Sequence, residues 1–208
     1  MFDQLLIPET RNPRIVERDW DNWLLDLDVR LLKDALHQTY LVAKTSADPS
    51  GQNGARIFNF APRGLGDLLA SACTELVSVD GLDVEAVVAD RPTKYMYVEH
   101  AERNAIYQAA QVGHRLMGSI MVCPWFACSD CARAIVRSGI GLVIGHLPRI
   151  EEFNRTRTSI TDGKAYKWAP GIDAGDRMLA SNGVRRIYFT ERLGLDFTIK
   201  VNEFDWTP

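Results

Sequence analysis

The second half of this chain alternates helix-forming and strand-forming segments, and this alternation limits the possible folds more than any other feature. Apolar residues at helical spacing predict helices over 100–112, 128–138 and 173–181. Compact apolar runs predict strands at SIMVC (119–123), GLVIGHL (141–147) and VRRIYFTE (184–191). Helices and strands in this order imply right-handed crossovers and a sheet of mainly parallel strands that is covered by helices. We therefore expect an α/β fold of three layers, α/β/α, with a central mixed sheet.

The first half of the chain has a less regular pattern. Residues 29–44 have the spacing of an amphipathic helix, and TSADPSGQNG at 45–54 has the composition of a loop. The segment GARIFNF predicts a short strand that ends at Ala61-Pro-Arg-Gly64. For the remaining segments we expect a helix over 66–77, a strand over 84–88 and a long polar loop over 148–170.

The length of 208 residues suits one domain with a single core. We expect a domain over 1–208, with its core at about 29–191 and extensions at 1–28 and 192–208. The net charge of -3 gives no broad basic surface, which argues against a polynucleotide partner. No apolar run approaches the roughly 20 residues of a membrane helix, and the N-terminal segment does not resemble a secretory signal. We expect a cytoplasmic protein that has no membrane partner.

Cys128 and Cys131 lie three residues apart at the start of a predicted helix, so their side chains share one face. The positive end of the helix dipole favours the thiolate over the thiol. Two thiolates at this spacing make half of a tetrahedral zinc site, although a bare C-x-x-C can also be two small buried residues. The two interpretations are separated by His100, which opens another predicted helix.

Successive helix N-termini can converge at one edge of an α/β sheet, where such folds keep their sites. One histidine and two cysteines would leave the fourth position of a zinc ion to water, as in catalytic sites. Glu102 lies two residues after His100, so it can reach past the metal and carry a proton to and from a substrate.

The segments H100-A-E102 and C128-S-D-C131 resemble the H-x-E and P-C-x-x-C signature of zinc-dependent nucleobase deaminases. The proline that precedes the first cysteine of that signature is replaced by Ala127, with a proline at Pro124 instead. HAERNAI, SIMVC, TSADPS and N59-F-A-P-R-G64 are similar to segments of the deoxycytidylate (dCMP) deaminase branch, over roughly 29–147. In this comparison the hairpin between D-P-S and N-x-x-P-R-G is nearly absent, and residues 65–97 are expanded.

The resemblance implies a cytidine deaminase-like fold and a Zn²⁺ cofactor held by His100, Cys128 and Cys131. It implies that Glu102 is catalytic and moves protons during hydrolytic deamination of a free cytosine nucleotide, dCMP to dUMP plus ammonia. The small-molecule nucleotide would be its partner, and members of the family assemble as homo-oligomers. The expected substrate-binding residues are Asn59 for sugar or base, Arg63 for phosphate, Ala101 for the ring through its backbone, and Trp125 for stacking.

Several alternatives stay open at this point. Asn59 and Arg63 also suit a turn cap and a plain turn. The altered segment 52–97 is compatible with a deaminase of another amino-heterocycle or of a modified nucleotide. A zinc-stabilised binding module without catalysis would have a fourth protein ligand and a dispensable Glu102. The basic and aromatic segment 149–168 suits either a substrate lid or a solvated loop.

Overall fold

The computed structural model describes residues 5–6, 20–157, 169–201 and 203–208. Its strands are β1 (Leu5–Leu6), β2 (Gly54–Ala61), β3 (Gly64–Cys73), β4 (Glu75–Leu76), β5 (Val98–Glu99), β6 (Ile120–Val122), β7 (Leu142–His146), β8 (Arg185–Phe189), β9 (Ile199–Val201) and β10 (Phe204–Trp206). Its helices are α1 (Trp20–Asp26), α2 (Val29–Lys44), α3 (Val84–Ala89), α4 (Arg91–Tyr97), α5 (Ala101–Gln111), α6 (Ser129–Ser138), α7 (Leu147–Arg157) and α8 (Ala169–Ser181).

The central sheet is mixed, with the strand order β1-β8-β7-β6-β2-β3. Strands β6, β7 and β8 are parallel, whereas β2 runs antiparallel to both β6 and β3. Two reversals make β3 point the same way as β6. The carboxyl ends of β3, β6, β7 and β8 therefore lie at one edge of the sheet, which we call the carboxyl edge.

Alternating side chains of the central strands enter two separate apolar cores, one on each face of the sheet. Met121 and Val143 face the first core, which α5, α6 and α8 cover. Ile120, Leu142 and Ile187 face the second core, which α1 and α2 cover. Burial on both faces explains why these strands read as continuous apolar runs. The expected three-layer α/β/α fold with a mixed sheet is confirmed.

The β9–β10 hairpin packs beside the second face, where Ile199, Val201 and Trp206 form a smaller cluster with Tyr40 and Phe153. The segment 192–208, expected as an extension, thus contributes buried apolar side chains. No helix in the described ranges is long and apolar enough to cross a membrane.

Most predicted elements of the second half are confirmed, with boundaries shifted by a few residues. Two predictions for the first half are wrong. Residues 66–77 form most of β3 because the tight turn at Ala61–Gly64 folds this segment back onto β2. Residues 84–88 lie in helix α3, since Asp83 caps the helix by accepting a hydrogen bond from the Ala86 amide.

The expected polar loop at 148–170 is wrong over 148–157, which belongs to helix α7. The rest of that loop, 158–168, lies outside the described residues. Between D-P-S and Asn59 the structure has only strand β2, and hairpin β2–β3 turns later, at A61-P-R-G64.

Gly175 lets helix α8 approach the loop that carries Cys128. A Cβ atom at Gly175 would lie 2.4 Å from the Ala127 carbonyl oxygen and 3.1 Å from the Cys128 carbonyl carbon. Both contacts are with backbone, which cannot move aside as the end of a side chain can.

We expect Gly175→Ala to lower the free energy of unfolding by about 1–3 kcal/mol, the usual cost of overpacking. Gly171→Ala on the same helix is the matched control, because its Cβ would meet only Ser129 Oγ at 3.9 Å. Urea denaturation of both variants measures the difference. Equal stability of the two variants would show that α8 does not pack against the Cys128 loop as described.

Candidate metal centre and cleft

The N-termini of α5 and α6 meet at the carboxyl edge and bring one imidazole and two thiol groups together. His100 is the N-cap residue of α5, and Cys128 is the N-cap residue of α6. Cys131 lies in the first turn of α6 and is fully buried. Neither N-cap side chain forms a capping hydrogen bond with its own helix, and the two side chains contact each other instead.

The position of His100 depends on a small ladder outside the main sheet. The chain leaves the end of β3 through β4, passes through α3 and α4, and returns as β5. Strand β5 pairs with β4, with Glu99 opposite Glu75 and Val98 opposite Leu76. Residues 77–97 therefore connect two paired strands, β4 and β5, and His100 directly follows β5.

The three ligand atoms have the spacing of a tetrahedral zinc site. His100 Nδ1 lies 3.6 Å from Cys128 Sγ and 3.5 Å from Cys131 Sγ, and the two sulfurs are 3.6 Å apart. Zn–S bonds of about 2.3 Å and Zn–N bonds of about 2.0–2.1 Å imply N–S and S–S separations of about 3.5 and 3.8 Å. In the described ranges, no fourth His, Cys, Asp or Glu joins this group.

The surroundings favour a thiolate at Cys128, whereas the hydrogen bond with Cys128 and burial raise the pKa of the Cys131 thiol. Hydrogen bonding from Cys131 and the nearby His100 lower the pKa of the Cys128 thiol to about 3. Burial by itself would lower the pKa of His100, but its contacts with Cys128 and Glu102 outweigh burial and raise it. A site that already holds a thiolate in the folded protein is suited to a metal cation.

Arg103 adds a positive charge beside Cys131. Its Nη1 donates to Cys131 Sγ at 3.6 Å, and its Nε donates to the Glu99 carboxylate. Asp130 lies 3.8 Å away on the opposite side. Two carboxylates thus hold the guanidinium against the sulfur that lies deepest in the cluster.

Glu102 lies in the first turn of α5 and is only 2% exposed. Burial raises the pKa of its carboxyl group, which brings the protonated and ionised forms closer in free energy at neutral pH. Glu102 is not part of the three-residue ligand group, yet it lines the same cleft as His100 and Cys128. A carboxyl group in such a place can accept a proton and return it.

The cleft opens from the three-residue cluster along the carboxyl edge. Its other walls include side chains of both polar and aromatic character: Asn53, Thr74, Lys94, Trp125, Phe126 and Arg149. Among the expected site residues, His100, Glu102, Cys128 and Trp125 line this cleft, and Cys131 lies directly behind it. Ala101 is fully buried in the first turn of α5 and does not line the cleft.

Asn59 and Arg63 lie at the other end of the sheet. Because β2 is antiparallel to β6, Phe58 near the end of β2 pairs with Ile120 at the start of β6. Asn59 lies near the end of β2, and Arg63 lies in the hairpin turn that follows β2. Both residues are exposed. Neither residue lines the cleft, so the structure does not bring these two expected substrate-binding residues to the cluster.

The same antiparallel pairing brings two other residues to the site. Asn53 precedes β2, and its side-chain amide donates to Cys123 Sγ at 3.4 Å, next to the end of β6. Thr74 follows β3, whose last residue, Cys73, pairs with Gly54. Neither residue was selected from the sequence, because the substrate contacts were assigned to Asn59 and Arg63 in the segment N59-F-A-P-R-G64.

The sequence did not single out Lys94, and Arg149 was included only as the first residue of the basic and aromatic segment 149–168. Lys94 is buried and donates to Asp48 at 2.6 Å and to the Ser50 hydroxyl, so that it joins α4 to the D-P-S segment. Arg149 lies in the first turn of α7, just after β7. A residue that follows a buried parallel strand at the carboxyl edge could have been selected on that ground alone.

Comparisons with known proteins agree with the geometry of the centre. Residues 71–147 match the family model described as the cytidine and deoxycytidylate deaminase zinc-binding region. The deoxycytidylate deaminases of Mus musculus and Homo sapiens are 35% and 34% identical to this chain over 109 residues. The matched segment covers 50% of this chain and 58% of each relative, so the chain spans less than two thirds of their length.

Two solved structures share part of the architecture. The dCMP deaminase of the cyanophage S-TIM5 in complex with dCMP and dUMP is 19% identical, with a TM-score of 0.49 over 77% of this chain and 98% of its own. RibD of Acinetobacter baumannii is 16% identical, with a TM-score of 0.49 over 77% of this chain and 36% of its own. Similarity at this level carries no argument about substrate.

The matched region contains His100, Cys128 and Cys131 together with Glu102. Its assignment as a zinc-binding region agrees with the spacing of the three ligand atoms. Residues 71–147 are therefore similar to the zinc-binding region of the cytidine and deoxycytidylate deaminases, and the ligand set of His100, Cys128 and Cys131 fits Zn²⁺.

Proposed function

We propose that this protein hydrolytically deaminates a free cytosine nucleotide, converting dCMP to dUMP with release of ammonia. His100, Cys128 and Cys131 hold the zinc ion, and Glu102 transfers the protons. The observation that carries the proposal is the meeting of three zinc-spaced ligand atoms and a buried carboxyl group in one cleft.

A zinc ion bound by one imidazole and two thiolates would supply a water molecule of lowered pKa in its fourth position. The Glu102 carboxylate takes a proton from that water and gives it to the ring nitrogen beside the amine-bearing carbon. The water oxygen would bond to the amine-bearing carbon as the ring nitrogen is protonated. Glu102 would then take the remaining proton from that oxygen and give it to the amine, whose bond to the carbon breaks as ammonia leaves. Burial of Glu102 supports both steps, because it raises the pKa of the carboxyl group and so favours its taking up a proton.

The shape and charge of the cleft support a small substrate. Trp125 and Phe126 are half-buried at its wall and present aromatic surface on which a pyrimidine ring can stack. The chain has a net charge of -3, so the extended basic track that polynucleotides require has no basis in its composition. The names of the matched relatives, which are deoxycytidylate deaminases, favour dCMP within this class.

A deaminase of another amino-heterocycle is the second candidate, and one observation favours it. The polar residues at the cleft wall include Asn53 and Thr74, whereas the resemblance had implied Asn59. Different polar side chains at the cleft wall can form hydrogen bonds with a different heterocycle. The proton chemistry at Glu102 would be the same in both cases.

Replacing Glu102 by Gln tests the proposed chemistry. We expect Glu102→Gln to lower kcat for dCMP by about 10²–10⁴-fold, since it loses acid–base catalysis. Its zinc content and thermal stability should match those of the wild type, because the amide is isosteric. Ammonia release measures turnover, and elemental analysis measures zinc.

Glu151→Gln on the exposed face of α7 serves as the control for loss of a carboxylate. It should retain wild-type turnover. Wild-type activity in Glu102→Gln would refute the proton-transfer role. A wild-type protein that deaminates a purine or pterin and no cytosine compound would replace dCMP with the second candidate.

Replacing one proposed ligand tests the metal centre. We expect Cys131→Ala to reduce bound zinc from about one ion per chain to less than a tenth of that, because two protein ligands hold Zn²⁺ weakly. Cys73→Ala is the matched control, since Cys73 is a free cysteine outside the cluster. Zinc retained at the wild-type level in Cys131→Ala would place the metal elsewhere.

A further inference from the structure

Arg149 is a buried cation with unused donors. It is 1% exposed, and in the described ranges neither Nε nor Nη1 has a hydrogen-bond partner. The described ion pairs of the protein do not include it either. Burial lowers the pKa of its guanidinium to about 10, so the side chain is still charged at neutral pH.

Such an arrangement is costly for a folded protein. Buried polar groups nearly always have partners, and an unpaired buried charge costs more than an unpaired neutral group. A structural role does not account for it, because an apolar side chain of similar length would fill the same space without that cost. The cost is explained if the missing acceptor arrives with a ligand.

The place of Arg149 identifies where that ligand lies. Arg149 lines the same cleft as His100 and Glu102. Its guanidinium carbon lies 4.9 Å from the centre of the Trp125 ring, and that ring packs on Phe153 with 4.8 Å between centroids. Contact with the aromatic ring orients the guanidinium while its N–H groups remain free for oxygen acceptors.

The charges around the cleft identify the chemistry of the ligand. Lys94, the other buried cation at the wall, is already neutralised by Asp48 at 2.6 Å. Arg149 is in no described ion pair, and Glu152, the carboxylate that acts on it electrostatically, is already paired with Arg155. Guanidinium groups with free donors are well matched to phosphate oxygens. Arg63, for which the resemblance implied this role, is exposed at the far end of the sheet.

We propose that Arg149 binds the phosphate group of the nucleotide substrate and thereby selects nucleotides over nucleosides. This inference rests on the proposed function and specifies which residue of the site sets its substrate class. Arg149 is a specificity-determining residue, and Trp125 supports it from one side while facing the cleft.

Steady-state kinetics of the zinc-loaded full-length protein on dCMP and deoxycytidine test this assignment. We expect Arg149→Gln to lower kcat/KM for dCMP by about 10- to 100-fold, mainly through KM, as loss of a charged hydrogen bond does. The value for deoxycytidine, which has no phosphate, should stay within about threefold of the wild type. The kcat/KM of Arg149→Lys for dCMP should lie between the values of the wild type and of Arg149→Gln, because lysine keeps the charge and loses the planar donor set.

The matched control is Arg177→Gln, which removes an exposed arginine from α8 and should leave both substrates unaffected. Equal losses on dCMP and deoxycytidine in Arg149→Gln would overturn the proposal. An unchanged kcat/KM for dCMP would also overturn it.

Thermal denaturation gives a second test that does not depend on turnover. Inorganic phosphate and dUMP should raise the Tm of the wild type and not that of Arg149→Met. Without ligand, Arg149→Met should melt at or above the wild-type temperature, because it removes a buried charge that has no partner. A clearly lower Tm would show that Arg149 is structural, and a wild type insensitive to both ligands would exclude a phosphate site.

The two proposals can fail separately. If the wild type turns over no cytosine compound, the proposed function fails. A phosphate-dependent rise in Tm that requires Arg149 would still establish the anion site in that case.

Discussion

The site depends on the parallel direction of β3, β6 and β7, which places their carboxyl ends at one edge of the sheet. Helix α5 runs from that edge to the start of β6, and α6 begins again at the same edge after β6 ends. Their N-termini must therefore meet there, although His100 and Cys128 are far apart in sequence. The positive ends of both helix dipoles favour thiolate at this point, and a metal cation bound to thiolates is the natural partner of that arrangement.

The cleft contains groups that would be poor choices for stability alone. Glu102 is buried with a raised pKa, and Arg149 is buried with donors that no described residue uses. By contrast, His146 at the same edge is fully satisfied. Its Nε2 donates to the Glu191 carbonyl at 2.7 Å, and its Nδ1 accepts from the Tyr40 hydroxyl at 2.6 Å. The contrast between the unpaired donors of Arg149 and the fully hydrogen-bonded His146 supports a ligand-binding role for Arg149 and a structural role for His146.

Much of the fold and the centre of the site followed from local pattern. The helix at 29–44 and the elements between 100 and 147 were predictable because their apolar periodicity agrees with their burial on the sheet. Residues 66–77 were not, because leucines and alanines in this stretch suit a helix as well as a strand. Pairing with β2 across the turn at Ala61–Gly64 makes most of this stretch a strand. The local sequence does not indicate such a pairing.

From the sequence alone came the chemistry: an imidazole, two thiol groups and a carboxyl group, each placed at a helix start by short-range rules of spacing and capping. Only the tertiary structure decided which other side chains share the cleft with them. The antiparallel course of β2 carries Asn59 and Arg63 to the far end of the sheet and brings Asn53 and Thr74 to the near end. Strand direction is set by long-range pairing and core packing, so the identity of the cleft wall could not be obtained from residue order.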